Sequence, residues 1–268
     1  AVRELGTAFF AATSLARVLG ERGERTQFSV LARGLCAIED SELQPLAATL
    51  LGAVSVAARE YPQLRTRCID LPNGRRAEGR GLWRTRVLSE LCVAVEPASN
   101  AGVVALRDTG RWVREVAEAP LVAAPQPGAW IKPQGVYLIT GGLGGIGLEL
   151  ALHLARTARV KLALLSRRPL QERDARTGKL DELRALGSEV MLVHADVADA
   201  AQLSRALGQV RAQLGPITGV VHAAGTLDDG LIAERARGDM LRVLLPKVLG
   251  TLLLDALITE PLDCFVLC

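Results

Sequence analysis

Gly142, Gly144 and Gly147 satisfy G-x-G-x-x-G directly after an apolar run, residues 136–139, and directly before an amphipathic helix pattern that begins near Leu148. That spacing suits the binding of an anion. Glycines let the chain turn sharply and bring main-chain N–H groups up to a pyrophosphate with no Cβ atom in the way. Between a strand and a helix, the run Thr140, Gly141, Gly142, Leu143, Gly144, Gly145, Ile146 reads as a dinucleotide site. A purely structural glycine turn is the alternative. The next apolar run, 161–165, ends in Ser166-Arg167-Arg168. In folds of this kind an acid about 20 residues past the loop holds the ribose 2′-hydroxyl of NAD, and an arginine there accommodates the 2′-phosphate of NADP. No carboxylate follows here until Glu172, and a guanidinium presents a fork of donors matched to phosphate. The pattern therefore favours NADPH, read through Ser166 and Arg167, over a merely solvated strand end.

The elements that must position these groups alternate along the chain. Strands are expected at 136–139, 162–165, 189–194, 218–222 and 264–267. Helices are expected at 148–156, 180–186, 200–214 and around 240–258. Such alternation predicts an α/β fold with a Rossmann-like, doubly wound parallel sheet. Right-handed crossovers then gather the loops after the strands on one edge, where ligands bind. Residues 1–132 read differently. Helices at 2–20, 46–59 and 82–92 flank strands at 27–31 and 65–69, and 103–106 with 112–116 form a hairpin turning at Asp108-Thr109-Gly110. This half has no glycine phosphate loop. It is expected to be a truncated Rossmann-like structural subdomain that binds nothing and braces the other half. Pro120, Pro125, Pro127 and Pro133 argue for an extended connection, which divides the chain into 1–132 and 133–268.

Composition excludes several classes. The net charge of +3 comes from 32 basic and 29 acidic residues, too even a balance for a nucleic-acid or membrane surface. Five scattered cysteines and three dispersed histidines show neither metal spacing nor a disulfide framework. Reduced thiols suit the cytoplasm. No signal peptide and no apolar run near the ~20 residues of a membrane span is present. Only four basic residues are lysines: Lys132, Lys161, Lys179 and Lys247.

Several runs follow one another in a telling order. They are Thr140 to Gly147, Leu164-Leu165-Ser166-Arg167-Arg168, His194-Ala195-Asp196-Val197, the stretch from Gly219 through His222-Ala223-Ala224-Gly225 to Gly230, and Pro246-Lys247-Val248. Together they resemble the ketoreductase domain of a modular polyketide synthase, within the short-chain dehydrogenase/reductase superfamily. The likeness covers residues 133–268, and more loosely residues 1–132 through Ala47 to Gly52, Glu60-Tyr61-Pro62 and Ile69-Asp70. It implies reduction by NADPH of a β-ketoacyl chain held by phosphopantetheine on an acyl carrier protein, beside neighbouring synthase domains.

The resemblance also implies roles for single residues. Asp196 and Val197 meet the adenine, unless Asp196 only caps the helix beginning near Asp199. Ala223, Ala224 and Gly225 let the nicotinamide ribose lie against the backbone. Lys247 is the catalytic lysine, holding ribose hydroxyls and lowering the pKa of a proton-donating tyrosine, unless it is an exposed helix lysine. His222 has no partner cluster and reads as a hydrogen-bonded core histidine. Leu227-Asp228-Asp229 guides the substrate and marks the B-type group with D-configured products, though Asp-Asp-Gly is also ordinary turn chemistry.

One departure stands out. The family pattern has a serine just after the strand at 265–267, then a tyrosine and an asparagine. Here the sequence closes at Cys268, and its tyrosines are Tyr61 and Tyr137. Both ends read as cut, so the chain alone is expected to be inactive. The competing functions are a non-catalytic ketoreductase-derived scaffold and another short-chain reductase or the ketoreductase of a fatty acid synthase.

Overall fold

Helix and strand patterns alternate along both halves of the sequence. The computed structural model follows that alternation through the residues it describes: 6–39, 42–72, 80–94, 102–120, 130–170 and 176–268. The expected helix residues 2–5, most of the proline-rich connection (121–129) and Glu172 lie outside them.

The chain separates into two units, Ala1–Pro120 with Asp229–Arg237, and Leu121–Asp228 with Gly238–Cys268. Residues 229–237 leave the second unit for the first, contrary to the division expected near residue 132. In the first unit, helices α1 (Thr7–Glu21), α2 (Pro45–Glu60) and α3 (Arg80–Cys92) accompany strands β1 (Thr26–Arg33), β2 (Leu64–Leu71), β3 (Val103–Arg107) and β4 (Gly110–Val113). The strand order is β1-β2-β3-β4. β1, β2 and β3 pair in parallel, and β3 and β4 form an antiparallel hairpin. Ala16, Phe28, Leu50, Ala57 and Leu64 form part of its core, joined there by Ile232. The inserted segment is held by polar contacts as well. Glu60 Oε2 accepts the Ile232 N–H at 2.6 Å, and Arg17 donates to the Arg235 carbonyl at 2.7 Å.

The second unit is a parallel sheet of β5 (Val136–Thr140), β6 (Lys161–Ser166), β7 (Glu189–His194), β8 (Ile217–His222) and β9 (Cys264–Leu267) in the order β7-β6-β5-β8-β9. It is Rossmann-like. Its strands are apolar at successive positions because both faces are covered. Leu138, Leu165 and Val220 pack with Leu203, Leu207 and Val210 of α6 (Ala200–Leu214) and Leu254 of α8 (Gly250–Leu257). Tyr137, Ile139, Leu162 and Leu164 pack with Leu148 and Leu152 of α4 (Gly145–Thr157) and Leu180 and Leu183 of α5 (Thr177–Ala185). Each fully buried leucine contributes roughly 1.5–3 kcal/mol of apolar transfer.

Two elements differ from expectation. α4 begins at Gly145, three residues before Leu148, so the last glycine of the loop lies inside its first turn. The single helix expected at 240–258 is broken into α7 (Arg237–Leu244), a π-helical segment (Leu245–Leu249) and α8. Pro246 is the cause: its ring crowds the carbonyl one turn back and it has no N–H to donate. The widened turn accommodates both defects, and such π segments recur at functional sites.

Candidate functional site

β5 and β8 lie side by side although three strand-helix steps separate them in sequence, because the chain goes out through β6 and β7 and then returns. That reversal opens a crevice beyond the carboxyl ends of the two strands, the place where parallel sheets bind ligands. Within the second unit a cleft of about 260 Å³ sits there.

The loop after β5 shapes its floor. Gly141 has φ +67°, and a Cβ on it would stand 2.6 Å from the Ala223 carbonyl oxygen, so a glycine is required. Thr140 joins the two strand ends: its carbonyl accepts the Ala223 N–H at 3.0 Å and its hydroxyl the Ala224 N–H at 3.2 Å. Gly142 and Gly144 donate their own N–H groups to the Leu165 and Gly141 carbonyls. They set the loop's shape, and the N–H groups that open α4, from Gly145 onward, have no carbonyl one turn back within the helix. No side chain caps that turn, and an uncapped helix start attracts an anion.

The loop after β6 supplies the charge. Leu165, Ser166, Arg167 and Arg168 line the cleft, as does Arg176. Arg167 reaches across to the Thr226 hydroxyl at 3.2 Å, and Arg176 donates to the Leu143 carbonyl at 3.3 Å. The Ser166 hydroxyl donates to the Arg168 carbonyl at 2.7 Å. It therefore braces the turn that presents the arginines, and its proton is engaged. Among the described residues, no carboxylate lines the cleft. Arg168 and Arg176 were not singled out as ligand-binding from the sequence. Arg168 stood in the quoted motif, whereas Arg176 carried no spacing signal, being brought in by the start of α5.

The remaining walls are small and apolar. Ala195 and Val197 come from the end of β7, Ala223, Ala224 and Gly225 from the end of β8. Asp196 does not line the cleft. Its Oδ1 accepts the Ala198 N–H at 2.9 Å, which shapes the turn into α6, while Asp199 caps that helix by accepting from Ala201 and Gln202. Lys247 is exposed on the π-helical segment, beside Pro246 of the cleft wall. A Cβ on Gly225 would lie 3.7 Å from its Nζ, which donates to the Cys268 carbonyl at 3.3 Å.

His222 is buried beneath these groups. Its Nδ1 lies 2.6 Å from the Thr140 hydroxyl and its Nε2 2.9 Å from the Pro246 carbonyl. Burial is the main cause that lowers its pKa from the ordinary 6.5. It is the hydrogen-bonded core histidine that the sequence suggested.

Leu227 is 91% exposed, and Asp228 pairs with Arg242 at 3.3 Å. Asp229 belongs to the first unit, where its carbonyl accepts from Arg235. Tyr137, the tyrosine of the second unit, does not line the cleft. The Tyr137 hydroxyl accepts the Lys132 N–H at 2.7 Å and donates to the Trp130 carbonyl at 3.2 Å, and burial pushes its pKa up. Tyr61 packs in the first unit. Among the described residues, no three His, Cys, Asp or Glu side chains are grouped to hold a metal, and no helix is long and apolar enough to cross a membrane.

These cofactor-shaped features agree with comparisons to known proteins. Residues 135–268 match the family model of the KR domain. The chain is 35% identical over 259 residues to erythronolide synthase EryA3 of Saccharopolyspora erythraea, which covers 96% of this chain and 8% of that protein. It therefore spans a small part of such relatives. Two solved structures are also similar. The first ketoreductase of the tylosin polyketide synthase superposes with TM-score 0.76 at 33% identity, over 96% of this chain and 53% of that one. A structure of A-type ketoreductases from a modular polyketide synthase superposes with TM-score 0.79 at 29% identity, over 95% and 53%. The chain belongs to the KR domain family, the nicotinamide-dependent ketoreductase domains of modular polyketide synthases.

Proposed function

We propose that the cleft binds NADPH and that the domain reduces a β-ketoacyl thioester, carried on an acyl carrier protein, to the 3-hydroxyacyl thioester. The observation that carries this reading is the pairing of an uncapped α4 with a cleft whose described lining residues include Arg167, Arg168 and Arg176 and no carboxylate. The first turn of α4 holds the pyrophosphate, Arg167 with Arg168 and Arg176 holds the 2′-phosphate end, and Ala223, Ala224 and Gly225 admit the nicotinamide ribose. NADPH supplies the hydride when bound. Lys247 orients the ribose hydroxyls, and its positive charge favours the ionised form of a neighbouring hydroxyl acid. The first unit, with its connection through residue 132, serves as a structural subdomain, and residues 133–268 form the cofactor-binding one. The domain works in the cytoplasm with neighbouring synthase domains as partners.

The proton is the missing part. Tyr137, the tyrosine of the cofactor-binding unit, is locked in the core, where its hydroxyl is engaged by Lys132 and Trp130, and neither it nor Tyr61 of the first unit is assigned to protonate the developing alkoxide. Ketone reduction by residues 1–268 alone is expected near background, and robust turnover of a β-ketoacyl thioester would contradict this. The Leu227-Asp228-Asp229 loop supports a B-type assignment. In a full synthase domain carrying this loop, the product should be the D-configured alcohol, and a predominantly L-configured product on enantiomer separation overturns it.

The direct test is cofactor choice. By fluorescence titration, NADPH should bind at least about tenfold more tightly than NADH, the scale of a charge-assisted hydrogen bond of roughly 1.5–3 kcal/mol. Arg167→Ala should remove most of the difference. Failure to bind either cofactor would favour the scaffold reading.

A further inference from the structure

We infer that His222 is a positioning residue, which holds the Lys247 segment in register with the cofactor loop through a single neutral tautomer. The inference rests on the NADPH reading above and deepens it. His222 sits at the end of β8 and is only 3% exposed. A carbonyl can only accept, so the 2.9 Å contact to Pro246 oxygen requires a proton on Nε2. Neutral imidazole then leaves Nδ1 as an acceptor. The Thr140 hydroxyl completes the chain: it donates to Nδ1 at 2.6 Å and accepts the Ala224 N–H at 3.2 Å. Every group in the relay has its partner, and only this proton arrangement satisfies all of them.

The relay joins both functional ends of the cleft. Thr140 opens the glycine loop, and Pro246 immediately precedes Lys247. The π-helical turn is held on its far side too. A Cβ on Gly250 would lie 3.3 Å from His222 Cε1 and 3.0 Å from Val197 Cγ1, so any side chain there would press on the imidazole. The backbone closes the circle: the His222 carbonyl accepts the Cys268 N–H at 3.1 Å, and Lys247 Nζ donates to the Cys268 carbonyl at 3.3 Å. Among the described residues, Lys247 is the charged side chain that acts on the imidazole, and it too disfavours the cation.

The test uses residues 1–268, with NADPH affinity as readout. His222→Asn keeps an acceptor near Nδ1 for Thr140 but does not reach Pro246. His222→Gln places an amide N–H near Nε2. If His222 acts through Lys247, His222→Asn should weaken NADPH binding about five- to tenfold, the size of one lost buried hydrogen bond. The same change on Lys247→Ala should cost less than about twofold, a coupling that a double-mutant cycle resolves. His222→Gln should recover most of the loss. Equal losses in both backgrounds would show a merely structural histidine and overturn the inference, as would unchanged affinity on Lys247→Ala. Imidazole nitrogen NMR of the unmodified chain decides the matter even where a variant fails to fold. A neutral Nε2–H ring near neutral pH, taking up a proton only at lower pH than a free imidazole, is expected, and an Nδ1–H ring or a cation at neutral pH overturns the proposal. Absence of NADPH binding to the unmodified chain would instead count against the cofactor reading, with the tautomer still decisive for the relay.

Discussion

Each unit turns its chain with a left-handed glycine just after its first strand, and the two turns end differently. In the first unit Gly34, φ +71°, follows β1, and the N–H groups of Leu35 and Cys36 donate at 3.0 and 3.1 Å to the two carboxylate oxygens of Asp70. Arg107 holds the same carboxylate at 2.7 Å, and Asp70 and Arg107 are 0% and 3% exposed. The strand-end donors there already have an anion, supplied by the fold itself. In the second unit Gly141, φ +67°, follows β5, α4 starts without a side-chain cap, and arginines line the space in front. One strand-end turn is filled from within, and the other has room for an anion from solution. The contrast teaches that a glycine turn after a strand marks a place where backbone donors converge. What fills them depends on whether a carboxylate from the next strand gets there first.

The largest way to break this contrast is to remove the internal anion. Asp70→Ala leaves the Arg107 guanidinium buried without its partner and should destabilise the protein by about 3–5 kcal/mol in urea denaturation. Replacing both residues with apolar side chains of similar volume should recover much of that loss. A change below about 1 kcal/mol for Asp70→Ala would mean that the carboxylate does not fill the turn.

The corresponding change in the second unit acts on binding. Gly141→Ala forces a side chain into a left-handed backbone against the Ala223 carbonyl, a strain of about 1–3 kcal/mol. NADPH affinity should fall about tenfold or more by titration. An alanine variant that binds as tightly as the parent would separate the loop's shape from its function.

A smaller effect compares the units in acid. Arg211 holds Glu260 bidentately at 2.7 and 2.8 Å and lowers its pKa from the ordinary 4.5 to about 2. In the first unit a hydrogen bond from Arg111, and then one from Arg67, holds Glu90 below its ordinary value. Folded pKa values below the unfolded ones add stability above about pH 4.5, and that stability is lost as the pH falls through the folded values. Glu260→Gln should flatten the melting-temperature profile between about pH 4.5 and pH 2 while leaving the first unit's acid response in place. An unchanged profile would remove Arg211–Glu260 from the account.

Much of the second unit is readable in the sequence because each strand ends where its apolar run ends, and residues that line the cleft sit at those ends. Gly141, Arg167 and Ala223 are examples. The π-helical break was also signalled, by Pro246 inside an apolar helix pattern. Other features depend on tertiary pairing and carry no local sign. Asp70 and Arg107 are 37 residues apart, and each alone reads as an ordinary strand-end charge. The transfer of residues 229–237 to the first unit depends on Ile232 joining a distant core and on Glu60 and Arg17 binding its backbone, none of which has a local sign. Arg176 reaches the cleft only because α5 starts beside Leu143. Asp196, expected at the adenine, accepts the Ala198 N–H through Oδ1, a contact that its place after β7 does not announce.

The measurement that bears most directly on the contrast is calorimetric titration of residues 1–268 with NADPH, repeated with NADH. One site per chain is predicted, with NADPH favoured over NADH by about tenfold or more. Two sites, no site, or equal affinity for the two cofactors would contradict the account.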